Sequence, residues 1–343
     1  MQYRHESICD TGTSAPKTHI SVWELQNSLK VRIIKLSLMH TNKIAEQPLF
    51  IRAELLYGDE SLITPLETPR TRAIQLGDSQ IYSAEWDYWL DFDIEMRNIP
   101  RAARITFTLV AEHVEGNSTE LFCMNHLLFS FKHELQAGEI CLGMWKYVDD
   151  PKVIASLANN PEGAKLDIEL EQYPLPVVFP SQCSSIDRTA YGEVDIVEEA
   201  KIQVENLLFH PLQQLKKFSA EEKAIIWEQR YFCQLEYPQS LSKVLLSVPL
   251  HYQSVHEMHS LLEEWPLELD PMGCLELLTF RFADANARKF AVKHLKCVDD
   301  ATVEGILLPL VQALKYECHL DSPLARFLLK RGRTFPLLRN SFH

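Results

Sequence analysis

The sequence lacks the short motifs that would hold a nucleotide phosphate or a structural metal ion. Its 343 residues include only 11 glycines, and they form no GxxxxGK[ST] loop or other glycine-rich phosphate loop. The eight cysteines are scattered, with no CxxC pair and no neighbouring histidine at zinc spacing. These absences argue against a P-loop enzyme and a zinc domain, and they predict reduced, buried thiols in a cytosolic protein.

Long apolar runs and a positive net charge are also lacking. No run of about 18 apolar residues occurs, so no transmembrane helix is expected. The first residues, MQYRHESICDTGTSAPK, have no apolar core of the kind found in secretory signals. A net charge of −13 opposes binding to nucleic acid and to anionic lipid. We therefore expect no nucleic-acid partner, and membrane contact would need a local basic patch or a recruiting protein.

Catalytic signatures are equally scarce. No kinase-type DFG or catalytic-loop string and no nucleophile-elbow string is present. His256 and His259 lie three residues apart, whereas the zinc motif HExxH requires a spacing of four, so we read them as an exposed helical face. The sequence predicts no catalytic, cofactor-binding or metal-binding residue in this chain.

The first half of the chain reads as β-structure. Runs such as "LKVRIIKLSL", "LFIRAELLY", "YSAEWDYWLDFDIEM", "ARITFTLVAE" and "AKLDIEL" alternate or are rich in β-branched residues, and turn residues separate them. In "WLDFDI", Trp89 and Asp91 alternate with Leu90 and Phe92. With no long helix between them, these strands predict an antiparallel β-sandwich over residues 19–180, after a disordered lead over 1–18.

The second half changes to helical periodicity. Residues 181–204 are polar and acidic and read as a linker. From 205 to 331, helices of about 10–18 residues follow one another with Pro- or Asp-bearing joints, which predicts an α-solenoid. Ser219 and Glu222 have capping-box spacing, and Asp321-Ser322-Pro323 reads as a helix start. Gly332 is expected to end the last helix, leaving a divergent tail over 332–343.

Two blocks of sequence resemble a known family. The stretch "WDYWLDFDIEMRNIPRAARITFTL" looks like the C2 domain of class I phosphoinositide 3-kinase catalytic subunits, and "LLFSFKHELQAGEICLGMW" resembles the end of that domain. From "EKAIIWEQRYFC" to "QALKYECHLDSPLARFLLKR", the chain resembles the family's helical (accessory) domain. The resemblance covers about residues 20–331, and its details fit class I better than class II.

This resemblance implies several functions, which we keep open here. In the family a lipid-kinase domain follows the helical domain, and ATP and Mg²⁺ would belong to it. Our first hypothesis is a non-catalytic scaffold for a regulatory subunit and the membrane, in a cytoplasmic protein that can be recruited to the plasma membrane. The second is a fragment of an active ATP-dependent lipid kinase that phosphorylates the inositol 3-position. The third is a peripheral membrane-binding adaptor.

The resemblance also implies contacts with the family's SH2-containing regulatory subunit. Asn42 matches a loop asparagine that contacts its coiled coil, and Glu120 is a weaker candidate for the same surface. Acidic residues before the "EKAIIW" helix would bind the SH2 domain, but an ungapped count places Lys217 and Ala220 there. A lysine in place of an acid weakens recognition of a basic SH2 surface. In a shifted register, Glu221 and Glu222 would supply the acidic residues instead.

Two further sets of charged residues are candidates for ligand binding. Asp91 and Asp93 lie two apart on a predicted strand with Asp87 nearby, whereas Ca²⁺ needs about 6–8 oxygens that converge from loops, so we expect no metal. Arg101 and Arg104 follow Pro100, and either could contact lipid phosphate or brace a loop through backbone carbonyls. We favour bracing, because the resemblance places them in the domain scaffold.

Overall fold

The computed structural model describes residues 17–39, 47–113, 117–147, 158–180, 198–209, 217–266 and 270–334. These residues form a β-sandwich followed by a helical region, and each has its own apolar core. The order confirms the predicted sandwich and the helical region after it. The solenoid arrangement of the helices stays a prediction.

The sandwich consists of two main antiparallel sheets. One has the strand order β10-β12-β2-β7-β6, and the other has the order β11-β9-β8-β3-β4 with β5 also paired to β3; β1 and β13 form a short parallel pair. The strands are β1 (Ile20–Ser21), β2 (Ser28–Met39), β3 (Leu49–Tyr57), β4 (Glu60–Ser61), β5 (Leu66–Glu67), β6 (Ile74–Gln75), β7 (Ile81–Glu95), β8 (Arg104–Glu112), β9 (Ser118–Leu127), β10 (Gly138–Gly143), β11 (Trp145–Lys146), β12 (Lys165–Leu170) and β13 (Val177–Val178).

Alternation along the strands explains how the two sheets share one core. On β7, Leu90 and Phe92 are 3% and 1% exposed, while Trp89 is 43% exposed. Successive side chains of a strand point to opposite faces, so the predicted alternation is confirmed here. The sequence analysis missed β9, because its polar residues interrupt the alternation of apolar and polar side chains that identifies a strand. Its buried Asn125 is satisfied because the side chain of Thr106 on β8 donates to it at 2.5 Å.

The described part of the helical region contains ten α-helices and two short 3₁₀ turns, Pro238–Ser240 and Ala313–Tyr316. The helices are α1 (Glu198–Phe209), α2 (Ala220–Glu228), α3 (Arg230–Glu236), α4 (Leu241–Leu246), α5 (Tyr252–Glu263), α6 (Pro271–Leu277), α7 (Ala285–Leu295), α8 (Asp300–Gly305), α9 (Leu307–Gln312) and α10 (Pro323–Thr334). Among the residues described, no helix is long and apolar enough to cross a bilayer.

Two expected boundaries are wrong. Helix α1 begins at Glu198, inside the expected linker 181–204, because Val204 and Leu208 pack into the helical core. The acidic residues around them concealed this apolar contribution. Helix α10 continues through Gly332 to Thr334 instead of ending at Arg331. A glycine within a helix costs only about 1 kcal/mol relative to alanine, so it does not by itself end one.

Side-chain caps start most of the longer helices. The Ser219–Glu222 capping box is present at α2, as the spacing predicts. Asp284 accepts hydrogen bonds from two backbone N–H groups at the start of α7, and Ser322 accepts one from Ala325 at the start of α10. These caps satisfy N–H groups that have no partner within the helix. The predicted helix start at Ser322-Pro323 is confirmed.

Candidate functional site, the contact surface between sandwich and helical region

The turn between β3 and β4, residues 57–60, joins the sandwich to the helical region, and we call it the docking turn. Gly58 has a φ of +63°, a conformation that side chains with a Cβ rarely adopt. A Cβ built on it would lie 2.6 Å from the carbonyl oxygen of Arg281, in the loop between α6 and α7. Both the backbone angle and the close approach therefore require glycine at this point of contact.

The two residues after Gly58 each form an ion pair with the helical region. The carboxylate of Asp59 lies 2.8 Å from Lys217 Nζ, and that of Glu60 lies 2.5 Å from Lys223 Nζ on α2. The Asp59 side chain is only 14% exposed, whereas that of Lys217 is 65% exposed. Two consecutive acids on one region thus contact two lysines on the other, which fixes the rotation of the docking turn over the start of α2.

Arg104 holds the docking turn from the sandwich side. The residue is 4% exposed, and its Nη2 donates to the Gly58 carbonyl oxygen at 3.0 Å. Burial lowers the pKa of Arg104 from its usual value, while Cys318, Asp59 and Glu54 nearby act in the opposite direction. The contact with a backbone carbonyl is a loop-bracing interaction.

A second contact lies where the helical region meets the start of the sandwich. The Trp23 ring packs on the imidazole of His256 with centroids 3.8 Å apart, and Arg97 lies over the Tyr252 ring at 5.6 Å. His256 is 9% exposed, and His259 lies 2.9 Å from the Asp284 carboxylate. The expected exposed face for these two histidines is therefore wrong, because Trp23 of the sandwich covers His256 and Asp284 of the helical region pairs with His259.

A cavity of about 910 Å³ lies between the two contacts, and side chains from both regions line it. Arg101 and His133 line it from the sandwich, and His256 and His319 line it from the helical region. Burial lowers the pKa of each of these three imidazoles. The charge of Arg101 lowers the pKa of His133 and His319 further, so both rings are neutral at neutral pH.

Arg101 is half-buried and faces this cavity from the segment between Pro100 and β8. Burial lowers the pKa of its guanidinium, while Asp284 and Cys318 across the cavity raise it. Asp284 is itself buried, which favours its neutral form, but the charge of His259 and hydrogen bonds from His259 and two backbone N–H groups outweigh this and lower its pKa. The cavity therefore holds the Arg101 guanidinium together with the Asp284 carboxylate, which stays ionised.

The predicted regulatory contact Glu120 lies near the start of β9. Its carboxylate accepts a hydrogen bond from Arg52 at 2.9 Å. Burial raises the pKa of Tyr147 to about 12, helped by the hydrogen bond from its hydroxyl to Glu120. Glu120 thus accepts its hydrogen bonds from residues of the sandwich itself. Asn42 lies outside the described residues.

The other predicted contacts lie at the start of α2. Glu222 accepts a hydrogen bond from the backbone N–H of Ser219 at 2.7 Å, as the second half of the capping box. Glu221, one residue earlier, is exposed on the first turn, and Ala220 is exposed beside it. Lys217, at the position where the family resemblance implies an acid, is held by Asp59. Glu221 thus lies in the chain between Lys217 and Lys223, the two lysines that contact the docking turn. Among the described residues, no contact joins Glu221 to Glu120.

The aspartates of β7 pair across the sheet. Asp87 accepts from Arg32 at 2.5 Å, and Asp91 lies 3.3 Å from Lys30, both on the outer face. Hydrogen bonds, first from the backbone N–H of Asp93, lower the pKa of Asp91. Within the described ranges no group of three or more His, Cys, Asp or Glu side chains is placed to hold a metal ion.

The sequence analysis did not single out the docking turn itself. The available signal was an acidic pair, Asp59-Glu60, directly after a turn glycine, and lysines at 217 and 223. Nothing local connects residues more than 150 positions apart, so the pairing became visible only in three dimensions.

Comparisons with known proteins agree with this division into two regions. The phosphoinositide 3-kinase C2 family matches residues 45–187, and the phosphoinositide 3-kinase family accessory domain (PIK domain) matches residues 193–343.

Two curated relatives cover both regions. Phosphatidylinositol 3-kinase 1 of Dictyostelium discoideum is 28% identical over 342 residues, which cover 92% of this chain and 21% of the relative. The human phosphatidylinositol 4-phosphate 3-kinase C2 domain-containing subunit beta is 29% identical over 299 residues, which cover 82% of this chain and 18% of the relative. The chain thus spans about a fifth of the length of the curated relatives it matches.

Proposed function

Because this chain carries the C2 and accessory domains of the phosphoinositide 3-kinase family, we propose that it is the scaffold portion of a class I lipid-kinase catalytic subunit. The sandwich is the C2 domain, and the helical region is the accessory domain. In this role the two domains form one base for contacts with an SH2-containing regulatory subunit and with the membrane, and the chain itself transfers no phosphoryl group.

The docking turn is the observation that supports a scaffold. Gly58 approaches the Arg281 backbone too closely for any other residue, and the two residues after it, Asp59 and Glu60, form ion pairs with the helical region. Interfaces between domains of one chain commonly permit motion unless specific contacts prevent it. A glycine-dependent backbone contact, two ion pairs and the Trp23–His256 stack favour a fixed relative orientation.

Within this proposal, Asn42 and Glu221 are the residues that we assign to the regulatory subunit. Glu221 is the exposed carboxylate of the α2 start, and it is the acid closest in sequence to the SH2 contact implied by the family. Glu120 and Glu222 already accept hydrogen bonds within the chain, so they would contribute to the same surface only indirectly. Arg104 braces the docking turn through the Gly58 carbonyl, and Arg101 faces the cavity between the two regions, so within this proposal neither binds lipid.

Co-precipitation of the chain with a class I regulatory subunit that contains its SH2 domains and coiled coil tests the proposal. We expect binding, and we expect Asn42→Lys and Glu221→Lys each to weaken it. Ala220→Glu restores one acid of the pattern that the family resemblance implies, at an exposed position that leaves the Lys217–Asp59 pair intact, and should strengthen SH2 binding by adding an attraction. Lys132→Glu, an exposed lysine of the C2 domain, is the control. Absence of binding by the unaltered chain would reject the regulatory-subunit role.

A second candidate is that these domains are joined to an ATP-dependent kinase that phosphorylates the inositol 3-position. The names of the two relatives, both 3-kinases of phosphatidylinositol lipids, favour this reading. Incubating the purified chain with ATP, Mg²⁺ and phosphoinositide vesicles tests whether the chain alone is active, and turnover would contradict the scaffold proposal. The transcript beyond the codon for residue 343 would show whether a kinase domain continues the same reading frame.

A further inference from the structure

A groove on the accessory domain carries an excess of positive charge, in contrast to the net charge of −13 of the whole chain. It measures about 860 Å³ and lies between α5, α7 and α10. Six cationic side chains line it but only two acidic ones, Glu263 and Asp300. We call it the basic groove. Its cations are Lys289, Lys293, Lys296, Arg326, Lys330 and Arg331.

Some of these cations are already paired, and others are not. Arg331 bonds to Asp300, and Arg326 bonds to Asp321 at 2.5 Å. In the described parts of the chain, no ion pair or hydrogen bond engages the side-chain nitrogen of Lys289, Lys293 or Lys296, and all three are exposed. The pairing within the groove thus leaves a row of three positive charges directed to solvent.

The spacing of this row is that of one helix face. Lys289, Lys293 and Lys296 lie at positions i, i+4 and i+7 along α7 and its C-cap, so they project from the same side over about 10 Å of helix axis. The row places one positive charge per helical turn. A partner helix with one acidic residue per turn would match it charge for charge along its length.

The floor of the groove is apolar. Leu262 on α5 and Val292 on α7 are buried beneath it, and the rings of Phe290 and Phe327 line it. A concave site with an apolar floor and a charged rim suits a helix that inserts apolar side chains and keeps its acids at the edge. A flat bilayer surface cannot reach the floor of a groove, so the shape favours a protein helix over anionic lipid.

We propose that the basic groove binds an acidic amphipathic helix of a partner protein. The row on α7 pairs with its acidic residues, and the partly exposed Phe290 ring contacts its apolar face. The negative charge of the rest of the chain repels such a helix elsewhere and so directs it to this groove. This partner is chemically distinct from the basic SH2 surface of the proposed function, and the inference does not depend on it.

The test uses the full chain and a labelled synthetic helix of about 18 residues, roughly five turns. The helix carries one Glu per turn on one face and Leu and Phe beside it. A comparison peptide of the same composition distributes the Glu residues around the helix. We expect the ordered peptide to bind at least about tenfold more tightly, and its affinity to fall as salt rises.

Charge reversal in the groove provides the matched variant. Lys289→Glu/Lys293→Glu/Lys296→Glu should weaken peptide binding at least about tenfold. The control Lys132→Glu/Lys146→Glu/Lys165→Glu makes the same change in net charge on exposed lysines of the C2 domain and should alter binding less than about threefold. Because acids near the C-terminus of α7 oppose its dipole, the neutral Lys→Gln triple variant is measured as well, and it should weaken binding in the same direction.

Three results would overturn the proposal. Equal losses in the groove and control variants would assign the effect to bulk charge. Equal binding of the two peptides would show that binding does not depend on an acidic helix face that matches the lysine row. Vesicles of phosphatidylcholine and phosphatidylserine that bind through the groove lysines, while the ordered peptide does not bind, would assign the groove to a membrane surface.

Discussion

The C2 and accessory domains place their ion pairs in opposite environments. On the C2 sandwich, Lys30 and Asp91 pair across β2 and β7 with about half of each side chain exposed. In the accessory domain, Arg288 and Glu317 pair at 4% and 10% exposure, and Arg230 and Glu257 at 10% and 12%. The Lys30–Asp91 pair of the sandwich thus stays in water, whereas these two pairs of the helical domain are buried.

The reason lies in the backbone of each domain. The inner strands of a sheet satisfy their carbonyl groups along the ladder, so no core side chain has to do so. Short helices leave carbonyl groups unpaired at every C-terminus. Arg288 donates to the carbonyl oxygens of Leu278, Thr279 and Phe282, and Arg230 donates to that of Trp227. Each buried arginine thus ends one helix and ties it to the next, and its glutamate balances the charge.

The largest effect should come from breaking one of these buried pairs. Arg288→Met leaves Glu317 buried without a counter-charge and removes the guanidinium that donates to four carbonyl groups. We therefore expect a loss of about 3–5 kcal/mol in the free energy of unfolding of the accessory domain. Urea unfolding measures it.

A matched double variant tests the same point. Arg288→Met/Glu317→Leu removes both charges and should cost less than Arg288→Met alone. A double variant whose loss equals the sum of the two single losses would show that the pair is not coupled, and the contrast between the domains would then fail.

The second effect concerns the C2 domain, where a buried histidine has no charged partner in the described residues. Burial lowers the pKa of His126 to about 4. The unfolded chain takes up a proton below about pH 6.5 while the folded chain does not. The protonation of His126 therefore costs no stability above about pH 6.5. As the pH falls towards 4, it lowers the free energy of unfolding by roughly 3 kcal/mol in all.

Thermal unfolding of the unaltered chain and of His126→Gln across this pH range checks the point. The variant should lose less stability than the unaltered chain between about pH 6.5 and about pH 4. Asp284 in the accessory domain has a lowered pKa, so its contribution is lost only as the pH falls further, below about 4. Parallel curves for the two chains would show that His126 is not the titrating group.

A third change acts on the contact between the domains. Gly58→Ala places a Cβ against the Arg281 carbonyl and forces a positive φ on alanine, which we expect to cost about 1–3 kcal/mol. Hydrogen exchange should increase on both sides of the docking turn. Gly77→Ala is the control, since Gly77 also has a positive φ but no atom within 4 Å of the position that a Cβ would take. Equal effects of both changes would attribute the loss to backbone strain alone.

The smallest effect should come from an exposed pair of the sandwich. Lys30→Ala removes the partner of Asp91, and we expect a loss of less than about 1 kcal/mol, since water and salt screen both charges. Thermal unfolding in low and in high salt measures it. A loss comparable to that of Arg288→Met would contradict the distinction between exposed and buried pairs.

Local patterns predicted much of the fold. The alternation of Leu90 and Phe92 with outward neighbours predicted β7, and Ser219 with Glu222 predicted the start of α2, because both features depend on residues a few positions apart. Strand β9 and the start of α1 were missed, since polar residues such as Asn125 and the acidic residues before Val204 conceal their apolar contacts. Whether such a polar residue is satisfied depends on a partner in another strand.

The candidate site was predicted less well than the fold. The sequence singled out Arg104, Lys217 and Glu222, but it could not show that the first two hold the docking turn or that the third caps α2. The contacts of Asn42 and Glu221 with a regulatory subunit remain predictions.

The sequence by itself determined the two kinds of structure and their order, because hydrophobic period and capping residues act over a few positions. Only the tertiary structure decided what joins them. Gly58, Asp59 and Glu60 meet Arg281, Lys217 and Lys223 across more than 150 residues of chain, and α5, α7 and α10 enclose the basic groove. Contacts between residues so far apart in the chain depend on how the two domains pack and where their charges lie, and no local sequence pattern encodes either.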